Sequence, residues 1–251
     1  MPDAERVTCP THETCTSGTR TRCQAARLSF LVAVPLMLHT IAAATPPAAS
    51  AESWAPLFDG STLAGWEGRT DVFRVEDGAI VAGSRTAPMP RNEFLCTQAE
   101  YGDFVLRLEF HMPGDGMNAG VQFRSQRIPG DHEVIGYQAD MGDGWWGALY
   151  DESRRKRLLA KPDDEVIARA LDRQGWNRYV IDARGDHVRL FINDHLTVDY
   201  TEPDATVEPH GRICLQIHSG PPGEVRYRNI EIREDEGSAD ASPSATPAAR
   251  D

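Results

Sequence analysis

The most constraining feature of the sequence is the alternation in Phe104-Val105-Leu106-Arg107-Leu108-Glu109-Phe110-His111. Phe104, Leu106, Leu108 and Phe110 fall on one face, and Arg107, Glu109 and His111 on the other. A period of two belongs to an extended chain with one buried face. Val121 and Phe123 repeat the pattern against Gln122 and Arg124, as do Ile213, Leu215 and Ile217 against Cys214, Gln216 and His218. Turn chemistry separates such runs. Glu76-Asp77-Gly78, Arg184-Gly185-Asp186 and Asn193-Asp194-His195 each contain residues that tolerate positive φ, which predicts hairpins. Only residues 163–171 read as a helix. Many short strands with almost no helix predict an all-β sandwich or barrel.

The first 51 residues read differently. A polar head carrying Arg6, Arg20, Arg22 and Arg27 precedes an apolar run at 28–44 that ends in Ala42-Ala43-Ala44 and further small residues. Basic head, short apolar run and small-residue exit predict a secretory signal peptide, hence a periplasmic or secreted protein. The run is about 17 residues long with His39 inside it, short of the roughly 20 that a bilayer span needs, so no stable membrane anchor is expected. No cysteine follows closely, which argues against a lipid anchor. Cys9, Cys15 and Cys23 lie in the head at a spacing unlike that of zinc sites. Cys96 and Cys214, the remaining two, read as small buried thiols rather than a pair. Residues 52–236 have the length of one well-cored domain, and 237–251 are too poor in apolar side chains to order. The chain carries a net charge of -12, which disfavours nucleic acid or an anionic membrane as partner. Oligomeric state is not legible.

Polar residues stand opposite the core set on several strands: Arg107, Glu109 and His111; Gln122 and Arg124; Gln138 and Asp140; Gln216 and His218. One reading is a solvated outer face; the other is a concave face whose Arg, Gln, His and carboxylates bond sugar hydroxyls. The scarcity of lysine in this set favours the second. So does the segment Gly136-Tyr137-Gln138-Ala139-Asp140-Met141-Gly142-Asp143-Gly144-Trp145-Trp146-Gly147-Ala148-Leu149-Tyr150-Asp151-Glu152, in which flat indoles suited to stacking on pyranose rings sit among bendable glycines. Two adjacent tryptophans cannot both face one sheet interior, so at least one of Trp145 and Trp146 should be exposed or cap a pocket.

A set of motifs now resembles a known family. Leu57-Phe58-Asp59-Gly60-Ser61-Thr62-Leu63-Ala64-Gly65-Trp66 looks like the opening of the 3-keto-disaccharide hydrolase domain. Glu100-Tyr101-Gly102-Asp103-Phe104, Asn118-Ala119-Gly120-Val121-Gln122-Phe123-Arg124, Gly147-Ala148-Leu149-Tyr150, Gly175-Trp176-Asn177-Arg178-Tyr179, Leu215-Gln216-Ile217-His218 and Tyr227-Arg228-Asn229-Ile230-Glu231-Ile232 follow in the family's order. The resemblance spans the whole predicted domain. It implies a concanavalin A-like jelly-roll β-sandwich of two antiparallel sheets, and a 3-keto-glycoside lyase/hydratase that is a hydrolase in net effect. One departure touches chemistry: where the family shows Gly-Tyr-Glu-x-Gln, this chain has Gly136-Tyr137-Gln138-Ala139-Asp140. Either Asp140 supplies the carboxylate from a shifted position, or the chain has kept binding and lost catalysis.

In the chemistry this implies, a C3 ketone acidifies the C2 proton, a base removes it, and the C1 oxygen is expelled; water can then add to the enone. The candidates are His218 or Asp140 as base, Arg124 as electrophile or orienting cation, Glu109 and Glu133 as acid or ligand, and Tyr150 as proton donor. Glu133 depends on a bulge at Gly136 to turn it inward. Gln122, Gln138, Gln216, Arg107, Trp145 and Trp146 are candidates for contacting a small-molecule carbohydrate. No cofactor is required with certainty; a divalent cation, Mn or Ca, on some of Glu109, Asp140 and His218 would suit the enolate. The plainer reading makes Arg107 and Glu109 a cross-strand ion pair and has His218 brace its turn. The competing classes are a non-catalytic carbohydrate-binding module, which explains Gln138 directly, and an interaction domain of an envelope assembly. An ordinary sandwich glycosidase is disfavoured, because no Glu-x-Asp-x-x-Glu strand is present.

Overall fold

A computed structural model describes residues 53–234. The segments read from sequence as a signal peptide and an unordered tail lie outside the described residues. In chain order the elements are β1 (Ala55–Pro56), β2 (Trp66–Glu67), β3 (Phe73–Glu76), β4 (Ala79–Ser84), β5 (Glu93–Thr97), β6 (Phe104–His111), β7 (Asn118–Arg127), β8 (Val134–Gly142), β9 (Leu149–Glu152) and β10 (Arg157–Ala160). Helix α1 (Asp164–Ala170), β11 (Asn177–Arg184), β12 (His187–Ile192), β13 (His195–Thr201), β14 (Arg212–Ile217) and β15 (Gly223–Glu234) complete them.

The strands form two antiparallel sheets. One runs β13-β12-β11-β6-β15-β4-β3, with β1 added to β15; the other runs β10-β9-β8-β7-β14-β5-β2. This is the expected jelly-roll sandwich. Phe104, Leu106, Leu108 and Phe110 of β6 are buried against Val121, Phe123, Tyr137, Ala139, Leu215 and Ile217 of the opposite sheet. Each side chain of this size contributes roughly 1.5–3 kcal/mol on full burial, so the alternating faces supply the main force joining the layers.

The hairpins form where turn chemistry places them. Asp77 and Gly78 both take positive φ (50° and 73°) between β3 and β4, and Asn193 and Asp194 do so (47° and 68°) between β12 and β13. The right-handed twist of paired strands favours this turn, which admits few residue types. The helix forms at the predicted place.

Two findings depart from the sequence reading. Cys96 and Cys214 stand directly opposite each other on β5 and β14 and form a disulfide. Alternation assigns both to the outward side of the second sheet, but there they pack with Phe94 and Val134 into a small apolar cluster. That side is therefore partly covered, not simply wet.

The second departure is a buried ionic network under β9. Asp151 is fully buried and accepts from Arg154 Nε at 3.0 Å and from Arg155. Arg155 also clamps Glu202 through Nη1 at 2.8 Å and Nη2 at 2.6 Å, and the Tyr137 hydroxyl donates to Glu202 at 2.6 Å. The Arg155 hydrogen bonds hold the Glu202 carboxyl down at about 2. The network ties β9, which carries Tyr150 and Glu152, to the end of β13.

Candidate functional site

The outward face of the second sheet carries the site. Residues directly opposite on paired strands share a face. The register Cys214↔Gln122, Gln122↔Gln138 and Gln138↔Tyr150 therefore lays one row across four strands. A second row joins Gln216, Gly120 and Asp140. Gly120 is needed between them: a Cβ there would come within 2.7 Å of the Gln138 side chain. Over these rows lies a cleft of about 350 Å³, lined by Gln138, Asp140, Tyr150 and Glu152 of the sheet together with Asn92, Asn118, Trp145 and His218.

Asp140 is the most perturbed group in the cleft. It is only 3 % exposed, and its Oδ1 accepts from Asn118 Nδ2 and from the Met141 amide, each at 3.0 Å. Burial outweighs those hydrogen bonds and raises the carboxyl to about 7, with the charge of Glu152 adding to the rise. Glu152 is itself raised, first by burial and then by Glu133, while His218 pulls the other way. Burial also raises the Tyr150 phenol, helped by Glu152 and Asp140, so it remains a hydrogen donor at neutral pH.

The His218 ring has a defined orientation. Its Nδ1 lies 2.8 Å from the Ser219 carbonyl oxygen, which only accepts, so Nδ1 carries the proton. In the neutral ring Nε2 then holds the lone pair. The backbone is pinned on both sides: the His218 amide donates to Asn118 O at 3.1 Å, and the Ser219 amide to Asn92 Oδ1 at 3.0 Å. Asn92 Nδ2 also donates to Glu133 Oε1 at 3.3 Å, so Glu133 adjoins the cleft residue Asn92.

The aromatic loop divides its labour. Trp146 is buried and stacks on Phe110 at 6.1 Å, whereas Trp145 is 39 % exposed and meets Tyr150 edge-on at 5.8 Å. Gly147, at φ +69°, permits the sharp return beside Thr197, where a Cβ would lie within 2.9 Å of that side chain.

The structure thus brings together Asp140, His218, Tyr150, Gln138 and Trp145, with Glu133 adjoining. It separates the others. Arg107 and Glu109 lie on β6 of the opposite sheet, where they pair with Glu231 at 2.7 Å and Arg228 at 2.6 Å and not with each other. A cation site built from Glu109, Asp140 and His218 is therefore not assembled, and among the described residues no cluster of three or more His, Cys, Asp or Glu is arranged for a metal. Gln122 is buried and donates to Gln138. Gln216 is also fully buried, with neither side-chain polar atom bonded to protein.

Arg124 requires the largest correction. The pairing of β7 with β8 shifts between Phe123 and Gln126, so Arg124 and Ser125 both oppose Gly136. Arg124 takes φ +47° at this bulge and leaves the cleft side. Its guanidinium donates to Gly102 O at 3.1 Å, Gly185 O at 2.6 Å and Asp103 Oδ1 at 2.8 Å. It lines a separate cavity of about 440 Å³ with Tyr137 and Glu202. The bulge expected near Gly136 exists, but on the opposing strand. Arg124→Met is expected to destabilise the fold by roughly 2–3 kcal/mol, because the buried Gly102 carbonyl loses a charged donor and Asp103 loses its ion-pair partner. Ligand affinity at the cleft should not change. Urea unfolding and a sugar titration check both.

Glu152, Asn92 and Asn118 are the cleft residues that the sequence reading did not select. For Glu152 a signal was present: Leu149 and Asp151 are buried, so alternation along β9 puts Tyr150 and Glu152 on one face.

Solved structures share the architecture. Two proteins of Parabacteroides distasonis ATCC 8503, provisionally described as glycosyl hydrolases, both align with a TM-score of 0.56. One is 16 % identical, covering 74 % of this chain and 95 % of its own; the other is 22 % identical, covering 73 % and 100 %. The carbohydrate binding module CBM66 of Bacillus subtilis aligns with a TM-score of 0.54 at 16 % identity, covering 69 % and 98 %. At these identities the likeness is one of fold. No curated protein matches the chain. Residues 53–233 match the 3-keto-alpha-glucoside-1,2-lyase-like domain, and the chain belongs to that family.

Proposed function

We propose that this protein cleaves glycosides already oxidised to a ketone at C3, by removing the C2 proton and eliminating the group at C1. The observation that carries the reading is one cleft in which a buried acid near neutrality, Asp140, accompanies His218 with Nε2 as its basic atom and an exposed indole, Trp145. His218 Nε2 takes the proton from C2, and the electron pair moves into the C2–C3 bond as the ketone becomes an enolate. As the enolate collapses, the C1–C2 double bond forms and the C1–O bond breaks. Asp140, whose burial lets it keep its proton towards neutral pH, gives that proton to the departing oxygen. Tyr150 donates a hydrogen bond to developing negative charge. Glu152 offsets the charge on the His218 imidazolium. Addition of water to the resulting enone, hydroxyl to C1 and proton to C2, returns a free keto sugar.

Export to an oxidising compartment forms part of this proposal. The Cys96–Cys214 disulfide supports it, since such bonds persist outside the reducing cytosol.

The protein should be incubated with 3-keto-glucosides and with their unoxidised parents, following enone absorbance and released alcohol. Turnover of the keto forms alone is expected. Binding of both without turnover would replace this reading with a carbohydrate-binding module, the alternative suggested by Gln138 where the family carries glutamate.

A further inference from the structure

An apolar rim adjoins the cleft at Tyr150. Tyr150 pairs with Gln138 on β8 and, on its other flank, with Leu158 of β10, so the three side chains share a face in one row. Adjacent strands are about 4.8 Å apart, so the row passes from a carboxamide to an aliphatic side chain within two strand spacings. Trp145 adds its indole, edge-on to Tyr150. Among the described residues the exposed large apolar side chains are Ile135, Trp145, Leu158 and Leu196; Trp145 and Leu158 are 39 % and 41 % exposed, and both flank Tyr150. A single exposed leucine needs no explanation. A leucine and a tryptophan that both adjoin the same cleft tyrosine give the cleft an apolar border. β10 ends the sheet, so the rim opens to solvent.

We propose that Trp145, Tyr150 and Leu158 form the subsite for the group leaving C1, and that this subsite takes an aryl or comparably flat apolar alcohol in preference to a second sugar. The inference rests on the keto-glycoside reading for the orientation of the bound ring. The polar wall, with Asn118, Asp140 and His218, takes the oxidised sugar, whose hydroxyls and ketone need donors and acceptors. The C1 substituent then points along the row towards β10. A sugar placed there would set its hydroxyls against Leu158, which offers no hydrogen bond, whereas an aromatic ring would contact Leu158 and Trp145 through apolar surface. Tyr150 stands at the junction, where its phenol reaches the bridging oxygen.

The experiment compares kcat/KM for a 3-keto phenyl glucoside and a 3-keto disaccharide, with wild-type protein and with Leu158→Asn and Trp145→Ala. In parallel, isothermal titration measures binding of unoxidised phenyl glucoside and of the disaccharide. The wild type is expected to favour the phenyl glucoside by about tenfold or more, and Leu158→Asn to reduce that preference by about tenfold, the lower end of what one methylene in an apolar pocket is worth. Turnover of both substrates without aryl preference, or a preference unmoved by either substitution, overturns the subsite and leaves the keto-glycoside reading intact. Absence of turnover together with aryl-selective binding that Leu158→Asn weakens overturns the keto-glycoside reading and keeps the subsite. Absence of both turnover and selective binding overturns both. Leu158 is exposed enough for the variant to fold, and a circular dichroism melt verifies that it does.

Discussion

Asp140→Asn is expected to lower kcat on a 3-keto-glucoside by about 10²–10³-fold, the usual worth of a positioned acid, while making the protein more stable at pH 8. The two effects share a cause. Burial raises the carboxyl from 3.8 to about 7, and one pKa unit corresponds to about 1.4 kcal/mol, so the charged form is disfavoured in the fold by roughly 4 kcal/mol. The sign follows from proton binding. A folded pKa above the unfolded value means that the native state holds the proton more tightly. Stability from this group is fully present below pH 3.8 and is lost as pH rises through about 7. Asparagine removes the penalty, so its advantage should be largest above pH 7 and should disappear as pH falls towards 4. Wild-type activity should also decline above about pH 7 as Asp140 loses its proton. Urea unfolding at pH 5 and pH 8, with a pH–rate profile, measures all of this. A destabilised variant at pH 8 would show that Asp140 is a structural anchor and not a strained acid.

The second large effect concerns the disulfide. Cys96 and Cys214 are separated by 118 residues in sequence. The chain-entropy account assigns about 4–5 kcal/mol to closing a loop of that length. For a domain of this size each kcal/mol shifts Tm by about 2–4 °C, so reduction, or replacement of both cysteines by alanine, should lower Tm by roughly 10–15 °C. The bond lies in the same cross-strand row as Gln122 and Gln138. Its loss should therefore loosen β5 and β14 beneath the cleft before the sandwich unfolds. Thiol counting by mass spectrometry with and without reductant, paired with calorimetry, checks the bond and its effect. Two free thiols in protein recovered from an oxidising compartment would contradict it.

The sequence revealed what depends on local periodicity and little of what depends on long-range pairing. The alternation of β6, the turns at Asp77-Gly78 and Asn193-Asp194 and the short helix are encoded by neighbours along the chain, and they appear where those neighbours put them. The exposure of one tryptophan of the pair followed from sterics alone. Alternation tells which face a residue takes but not which sheet it joins. Arg107 and Glu109 therefore read as neighbours of Asp140 although they belong to the other layer. Arg124 misled for a different reason. Its position was extrapolated from Val121 and Phe123, and a bulge two residues long breaks that count. The disulfide was missed because two cysteines far apart in sequence carry no register; only the antiparallel pairing of β5 with β14 sets them opposite each other. Glu152 was readable from the pattern of β9 but carried no motif to draw attention to it.

The central claim is that this cleft breaks a C–H bond at C2 of a keto sugar. A 3-keto-glucoside labelled with deuterium at C2, turned over in ordinary water and compared with the unlabelled compound, tests it most directly. The account predicts a primary isotope effect on kcat/KM, loss of the label to solvent, and loss of turnover in His218→Ala. Release of the alcohol with the label retained at C2 and no isotope effect would contradict it.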